Sequence, residues 1–291
     1  MPEATFFMIV TPRDVVIADY AVRSYGKVRG LDFLVRVYSN YLLPEQKAYY
    51  FPRWERLPWV ELVRNDHQDA ELEGIRGKVH SDRLEGPFEY CDPIWDRELR
   101  RIESPVVGQV DADFEILRPR FLHYMLDQLR ATSDLIGIST DYSPREITYE
   151  PYIGQMIELN ERNHTQFCLY KRQAFEQSQV SHAFHREMLT DGPVDRSSWD
   201  SSAYFQKSLR DMGWRFDFLH GRFRRDLIHY GAFSKNTSIT RQTVGLFRAL
   251  TIVENTLPWR VGRVIKQART RLLPTLENNR LQYVRDAPIR W

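Results

Sequence analysis

The chain has 291 residues, 42% of them hydrophobic and 27% charged, with a net charge of +2 at pH 7. That length fits one large α/β domain or two small ones and can bury a sizeable core. The balance excludes a disordered chain, and the near-neutral charge gives no electrostatic case for nucleic acid. Two cysteines, Cys91 and Cys168, exclude a disulfide scaffold. No apolar run approaches the ~20 residues of a membrane span. The opening MPEATFFMIVTPRD is acidic at position 3 and polar after Val10, unlike a secretory signal. These features predict a cytoplasmic protein. The aromatic share, 13%, fits stacking surfaces or, more simply, a Tyr- and Trp-rich core.

The first element is the apolar run Phe6–Val10, short enough for a buried strand. Thr11-Pro12-Arg13-Asp14 breaks it. Asp14 then suits a helix N-cap, with Ala18, Ala21, Val22 and Tyr25 as the buried stripe and Gly26 as the stop. Phe33–Tyr38 reads as a second strand ending at Ser39-Asn40. A Pro- and Trp-rich stretch, 43–58, leads to a third strand, Trp59–Arg64, ending at Asn65-Asp66. Residues 67–103 are polar and mixed, with helical pieces.

Val106–Val110 is another buried-type strand, ending abruptly in Asp111-Ala112-Asp113. Pro119 suits a first helical turn, and Leu122, Met125, Leu126 and Leu129 form its stripe. Leu135–Ser139 and Phe167–Tyr170 are further strands. Residues 200–213 read as a helix with the stripe Phe205, Leu209 and Met212 and a Gly stop. Trp214–Leu219 alternates like a strand with one wet face. A basic loop, 220–225, precedes Leu227-Ile228-His229. Leu246, Ala249, Leu250, Val253 and Leu257 form a helical stripe ended by Pro258, and Val261, Val264, Ile265, Ala268 and Leu272 a second. From Thr256 to Trp291 eight Lys and Arg stand against two acids. Strands alternating with helices over the first ~230 residues predict a mostly parallel sheet with helices on both faces.

The strongest chemical signal is Asp111-Ala112-Asp113. In open α/β sheets ligands sit outside the carboxyl ends of the strands. Two acids one residue apart at such an end can share a divalent ion and leave room for diphosphate oxygens; Mg²⁺ or Mn²⁺ suits because both prefer oxygen. A solvated turn is the alternative. His229 is a second potential ligand, or a packed histidine. Asp200 and Asp195 are potential acids or bases, or a cap and a turn residue. Arg222, Arg224 and Arg225 are potential phosphate donors, or a solvated loop.

The order of these parts resembles the GT-A glycosyltransferases, most closely the large inverting family of bacterial nucleotide-sugar transferases. The residues that carry it are FFMIVTPRD, VVGQVDADFEIL and DSSAYFQKSLRDMGWRFDFLHGRFRRDLIHYGAFS, spanning roughly residues 5–235. The resemblance implies a GT-A, Rossmann-like domain over 1–238, its nucleotide-sugar half about 1–115 and its acceptor half about 116–238. Residues 239–291 would be a C-terminal helical extension. It implies that Thr11, Arg13 and Asn40 line the nucleotide pocket, with Asn65 or Asp66 near the base and Asp111 facing the ribose. Asp113 would hold Mn²⁺ or Mg²⁺ on the diphosphate, with His229 as a further metal or phosphate contact. Asp200 would be the catalytic base, with Asp195 as rival because Asp200 is followed by Ser201-Ser202 rather than a second acid.

The implied activity is metal-dependent transfer of a sugar, with inversion, from a nucleotide-diphosphate donor to a hydroxyl of a glycan, lipid-linked or other acceptor, as in surface-glycan synthesis. The basic C-terminal helices could touch a membrane or a second subunit, or simply pack on the domain. A nucleotidyltransferase would use the same strand-end acids but needs a Gly-, Arg- or Lys-rich phosphate loop; Thr11–Asp14 has no Gly. A non-catalytic binding protein is the alternative from another class.

Overall fold

The computed structural model describes residues 1–12, 14–65, 91–150, 155–180, 202–223, 225–230 and 241–257. Its centre is a seven-stranded sheet. In chain order the strands are β1 (Ala4–Val10), β2 (Phe33–Ser39), β3 (Val60–Val63), β4 (Val106–Val110), β6 (Leu135–Ser139), β9 (Phe167–Lys171) and β10 (Arg215–Phe218). The spatial order is β10-β6-β9-β4-β1-β2-β3. All neighbours pair in parallel except β9, which runs antiparallel between β4 and β6. The α/β class read from the sequence is the observed one. The reversed β9 is the departure: it starts at the site end of the sheet, where Phe167 faces Val110, and carries the chain to the opposite end, where Lys171 faces Val106.

Every residue of β1 is buried because helices cover both faces. Phe6, Met8 and Val10 point to one side, packing with α1 (Val15–Ser24), α2 (Pro44–Trp54) and α4 (Arg120–Ala131). Phe7 and Ile9 point to the other, meeting α3 (Cys91–Arg101), α5 (Gln173–Gln177) and α6 (Ala203–Asp211). The period of two in β1 thus divides a two-sided core. Trp54, Tyr25, Tyr38 and Tyr170 are fully buried, so much of the aromatic content is packing.

Four sequence expectations shift in detail. The stretch 43–58 holds a helix, α2, started by Pro44. Pro119 is the N-cap of α4 rather than its first turn. Met212, expected in the stripe of α6, is 54% exposed because the helix ends at Asp211 and Gly213, at φ 92°, turns the chain away. In α7 (Arg241–Thr256) the expected stripe faces outward: Leu246 is 49% and Val253 43% exposed. The face that docks carries Val244, Phe247, Arg248 and Ile252 instead, meeting Ile17, Ile228 and Tyr230. No helix among the described residues is long and apolar enough to cross a membrane.

Beyond the tip of β4 the chain forms a separate antiparallel ladder. β5 (Phe114–Ile116) pairs with β11 (Leu227–His229), with His229 opposite Phe114. A hairpin, β7 (Tyr142–Glu150) with β8 (Gln155–Asn163), rises after β6.

Candidate metal centre

The chain leaves β1 outward through β2 and β3, then returns to the other side of β1 as β4. The strand order therefore reverses between β1 and β4, and the carboxyl ends of those two strands open the crevice where α/β sheets bind ligands. Thr11 to Asp14 follow β1 at this point, and Asp111 to Asp113 follow β4.

Asp111 is fixed by its backbone N–H, which donates to the Gln166 carbonyl at 2.8 Å. Asp113 stands just before β5, and the register of the β5–β11 ladder brings His229 beside it: Nε2 lies 3.4 Å from Asp113 Oδ1. The Tyr230 N–H donates to the Asp113 carbonyl at 2.9 Å and locks that register. One ligand atom from each of Asp111, Asp113 and His229 falls within 4.8 Å of the others. Asp113 Oδ1 is buried and makes no hydrogen bond among the described residues. A buried carboxylate oxygen without a donor is costly, and a cation is what offsets such a cost. Two carboxylates and an imidazole suit Mn²⁺, which accepts oxygen and nitrogen together; Mg²⁺ is served mainly by the acids.

The electrostatics show a site that favours positive charge, which a proton on His229 supplies in the absence of a metal. Burial pulls the His229 pKa down, but contact with Asp113 and the charges of Asp113, Asp111 and Asp141 outweigh it and hold the imidazole above its ordinary value. Asp14 is pushed up to about 7, chiefly by burial and further by the charge of Asp113. Its carboxylate is not a helix cap. It turns back to accept the Thr11 N–H at 2.7 Å. The loop is also tied to α2, where Gln46 accepts the Leu43 N–H at 3.0 Å and donates to the Pro12 carbonyl at 2.9 Å.

Thr11, Asn40 and Asn65 share the rim of the crevice. The Asn40 N–H donates to the Val10 carbonyl at 2.9 Å, and Asn65 Nδ2 donates to the Ser39 carbonyl at 2.6 Å. Arg222 lies elsewhere, its guanidinium 5.4 Å from the Tyr124 ring centroid. Arg225 lines a cavity with Lys27 and Arg248, toward the opposite end of the β5–β11 ladder from His229. Arg13, Asp66, Asp195, Asp200 and Arg224 lie outside the described residues.

Two further acids lie near this centre. The sequence marks Asp14 only as a cap. Asp141 acts on His229 and stands two residues past the end of β6. The signal that singled out Asp111, an acid just after an apolar strand, applies to Asp141 as well.

No protein-family model matches the chain, and no curated protein sequence matches it. Among solved structures it is similar to the mannosyltransferase PcManGT from Pyrobaculum calidifontis in complex with GDP-Man and Mn²⁺, at 15% identity and a TM-score of 0.44, over 75% of this chain and 55% of that one. The chain thus spans about half the length of that enzyme. It is similar to mouse xyloside xylosyltransferase 1 at 13% identity and a TM-score of 0.44, over 75% and 86% of the two chains. It is similar to a CMP:2-keto-3-deoxy-manno-octonic acid synthetase complexed with CTP at 11% identity and a TM-score of 0.39, over 74% and 89%.

Proposed function

We propose that the protein is a metal-dependent glycosyltransferase that moves a sugar from a nucleotide-diphosphate donor to an acceptor hydroxyl. The observation that carries this reading is the Asp111–Asp113–His229 triad at the crevice between β1 and β4, with its undonated buried oxygen. Asp113, Asp111 and His229 would hold Mn²⁺ or Mg²⁺. A divalent ion bound there supplies Lewis-acid charge to the diphosphate as the sugar leaves.

The chain's own residues supply the rest. Thr11, Asn40 and Asn65, just beyond the ends of β1, β2 and β3, would line the nucleotide pocket, with Arg13 and Asp66, their neighbours in sequence, as further contacts. Asp200, with Asp195 as rival, takes the proton of the acceptor hydroxyl. The acceptor oxygen bonds to the anomeric carbon, the bond from that carbon to the diphosphate oxygen breaks, and the nucleoside diphosphate leaves. Attack from the face opposite the leaving group inverts the centre. The acceptor belongs to glycan or lipid-linked hydroxyl chemistry, as in surface-glycan assembly.

Thermal unfolding with UDP, GDP, CDP, ADP and dTDP, each with and without Mn²⁺, tests the reading. One nucleotide with Mn²⁺ is expected to raise the Tm by several degrees, since ligand at 100 times Kd adds about 2.7 kcal/mol. Asp113→Ala should abolish the shift. Absence of a shift with all five nucleotides refutes the proposal. Asp200→Asn should keep the shift and lose transfer; retained turnover passes the base role to Asp195.

A further inference from the structure

A second charged feature lies at the other end of the β5–β11 ladder. β5 begins beside Asp113 and runs toward Leu117 and Arg118, while Arg225 lies just before β11. Four residues of a strand cover about 13 Å, so this end is separate from the metal centre. Here Lys27, Arg118, Arg225 and Arg248 line a cavity of about 250 Å³, with Leu117, Ile252 and Thr256 completing its wall. The four cations come from four places in the chain: the turn after α1, the end of β5, the approach to β11, and α7.

Two buried carboxylates lie nearby, and both are already engaged. Glu115 accepts two bonds from Arg248 Nε at 2.9 Å and one from the Tyr230 hydroxyl at 2.7 Å, and Lys27 Nζ is 3.7 Å away. Asp226 is gripped at both oxygens by Arg120, at 2.9 and 2.6 Å, and Arg118 reaches it only at 4.0 Å. Arg225 has no carboxylate partner among the described residues. Five cations therefore face two carboxylates, and the excess converges on the cavity. Guanidinium groups gathered this way repel one another unless an anion joins them. Forks from several directions match the oxygens of a tetrahedral dianion better than the single plane of a carboxylate.

We propose that this cavity binds a phosphate group, either a free phosphate compound or the phosphomonoester headgroup of a lipid. The site lies outside the proposed sugar-transfer centre and does not depend on it.

Calorimetric titration of the full chain with inorganic phosphate, in metal-free buffer at fixed ionic strength, tests the free-phosphate source. Flotation with phosphatidylcholine vesicles carrying phosphatidic acid, against phosphatidylserine at equal surface charge, tests the lipid source. Arg118→Glu reverses a charge that is 56% exposed, and Arg120 continues to hold Asp226. It is expected to weaken phosphate binding about tenfold or more, the size of one lost charged hydrogen bond. Arg225→Gln provides the same test if Arg118→Glu folds poorly. Binding to phosphatidic acid vesicles alone, lost in these variants, assigns the lipid source. No response in either arm, or a response that both variants leave intact, overturns the proposal.

Discussion

Asp14 shows how a single carboxyl reports on its surroundings. Its pKa is pushed up to about 7 by burial and by the charge of Asp113. A carboxyl with a folded-state pKa above its unfolded value binds its proton more tightly when folded. Stability is therefore full below the unfolded value near 4 and falls as pH rises toward 7. His229 adds a loss of the same sign at higher pH, because its folded pKa is also raised. Asp14→Asn keeps an oxygen for the Thr11 N–H and removes the charge. In metal-free buffer its urea-derived stability is expected to fall less between pH 5 and 8 than that of the parent, by at most about 2.7 kcal/mol. Equal slopes would refute the raised Asp14. Asp111 and Asp113 were legible in the sequence because two acids directly after an apolar run stand out unaided. The state of Asp14 was not, because it depends on a loop about 100 residues away, placed beside it by the parallel pairing of β1 with β4.

At the scale of elements, strands that are apolar throughout were legible, because burial on both faces leaves no polar alternation. β1, β4 and β6 fall where the runs predict. Strand direction was not legible: β9 is as apolar as its neighbours but runs antiparallel, a choice made by the loops around it. The docking face of α7 was misread for a related reason. Its apolar stripe is real, but the docked face also carries Arg248, which pairs with the buried Glu115, a contact that a hydrophobic period does not register. Arg248→Ala takes the guanidinium from a carboxylate that is only 2% exposed and leaves it the Tyr230 hydroxyl and, at 3.7 Å, Lys27, a loss of about 1.5–3 kcal/mol for a charged hydrogen bond. The double variant with Glu115→Gln should recover part of that loss, because the buried carboxylate that Arg248 neutralises is then gone. Denaturant midpoints of the two single variants, the double variant and the parent measure this coupling. Additive losses would mean that the pair is not coupled.

Over the whole molecule, acids gather at the crevice end of β5 and bases at the other, and α7 closes the basic end. The sequence suggested a catalytic unit ending at 238 followed by an extension. Val244 of α7 is fully buried, and the cluster it joins includes Ile17 of α1 and Ile228 of β11. A chain ended at 239 would uncover these side chains, each worth about 1.5–3 kcal/mol when buried, and would leave Glu115 without Arg248. The combined loss is on the order of the 5–15 kcal/mol that a domain has in total. Such a chain is expected to be insoluble or to unfold at far lower urea, whereas one ended at 257 keeps α7 and should keep the Mn²⁺-dependent nucleotide shift. Circular dichroism during urea titration, with fluorimetry in Mn²⁺ and nucleotide, distinguishes the two chains. If the chain ended at 239 unfolds at the same midpoint as the one ended at 257, α7 contributes nothing to the fold and the division near 238 is a true domain border. A lower midpoint makes α7 part of the scaffold, holding β5 in the register that places Asp113 against His229.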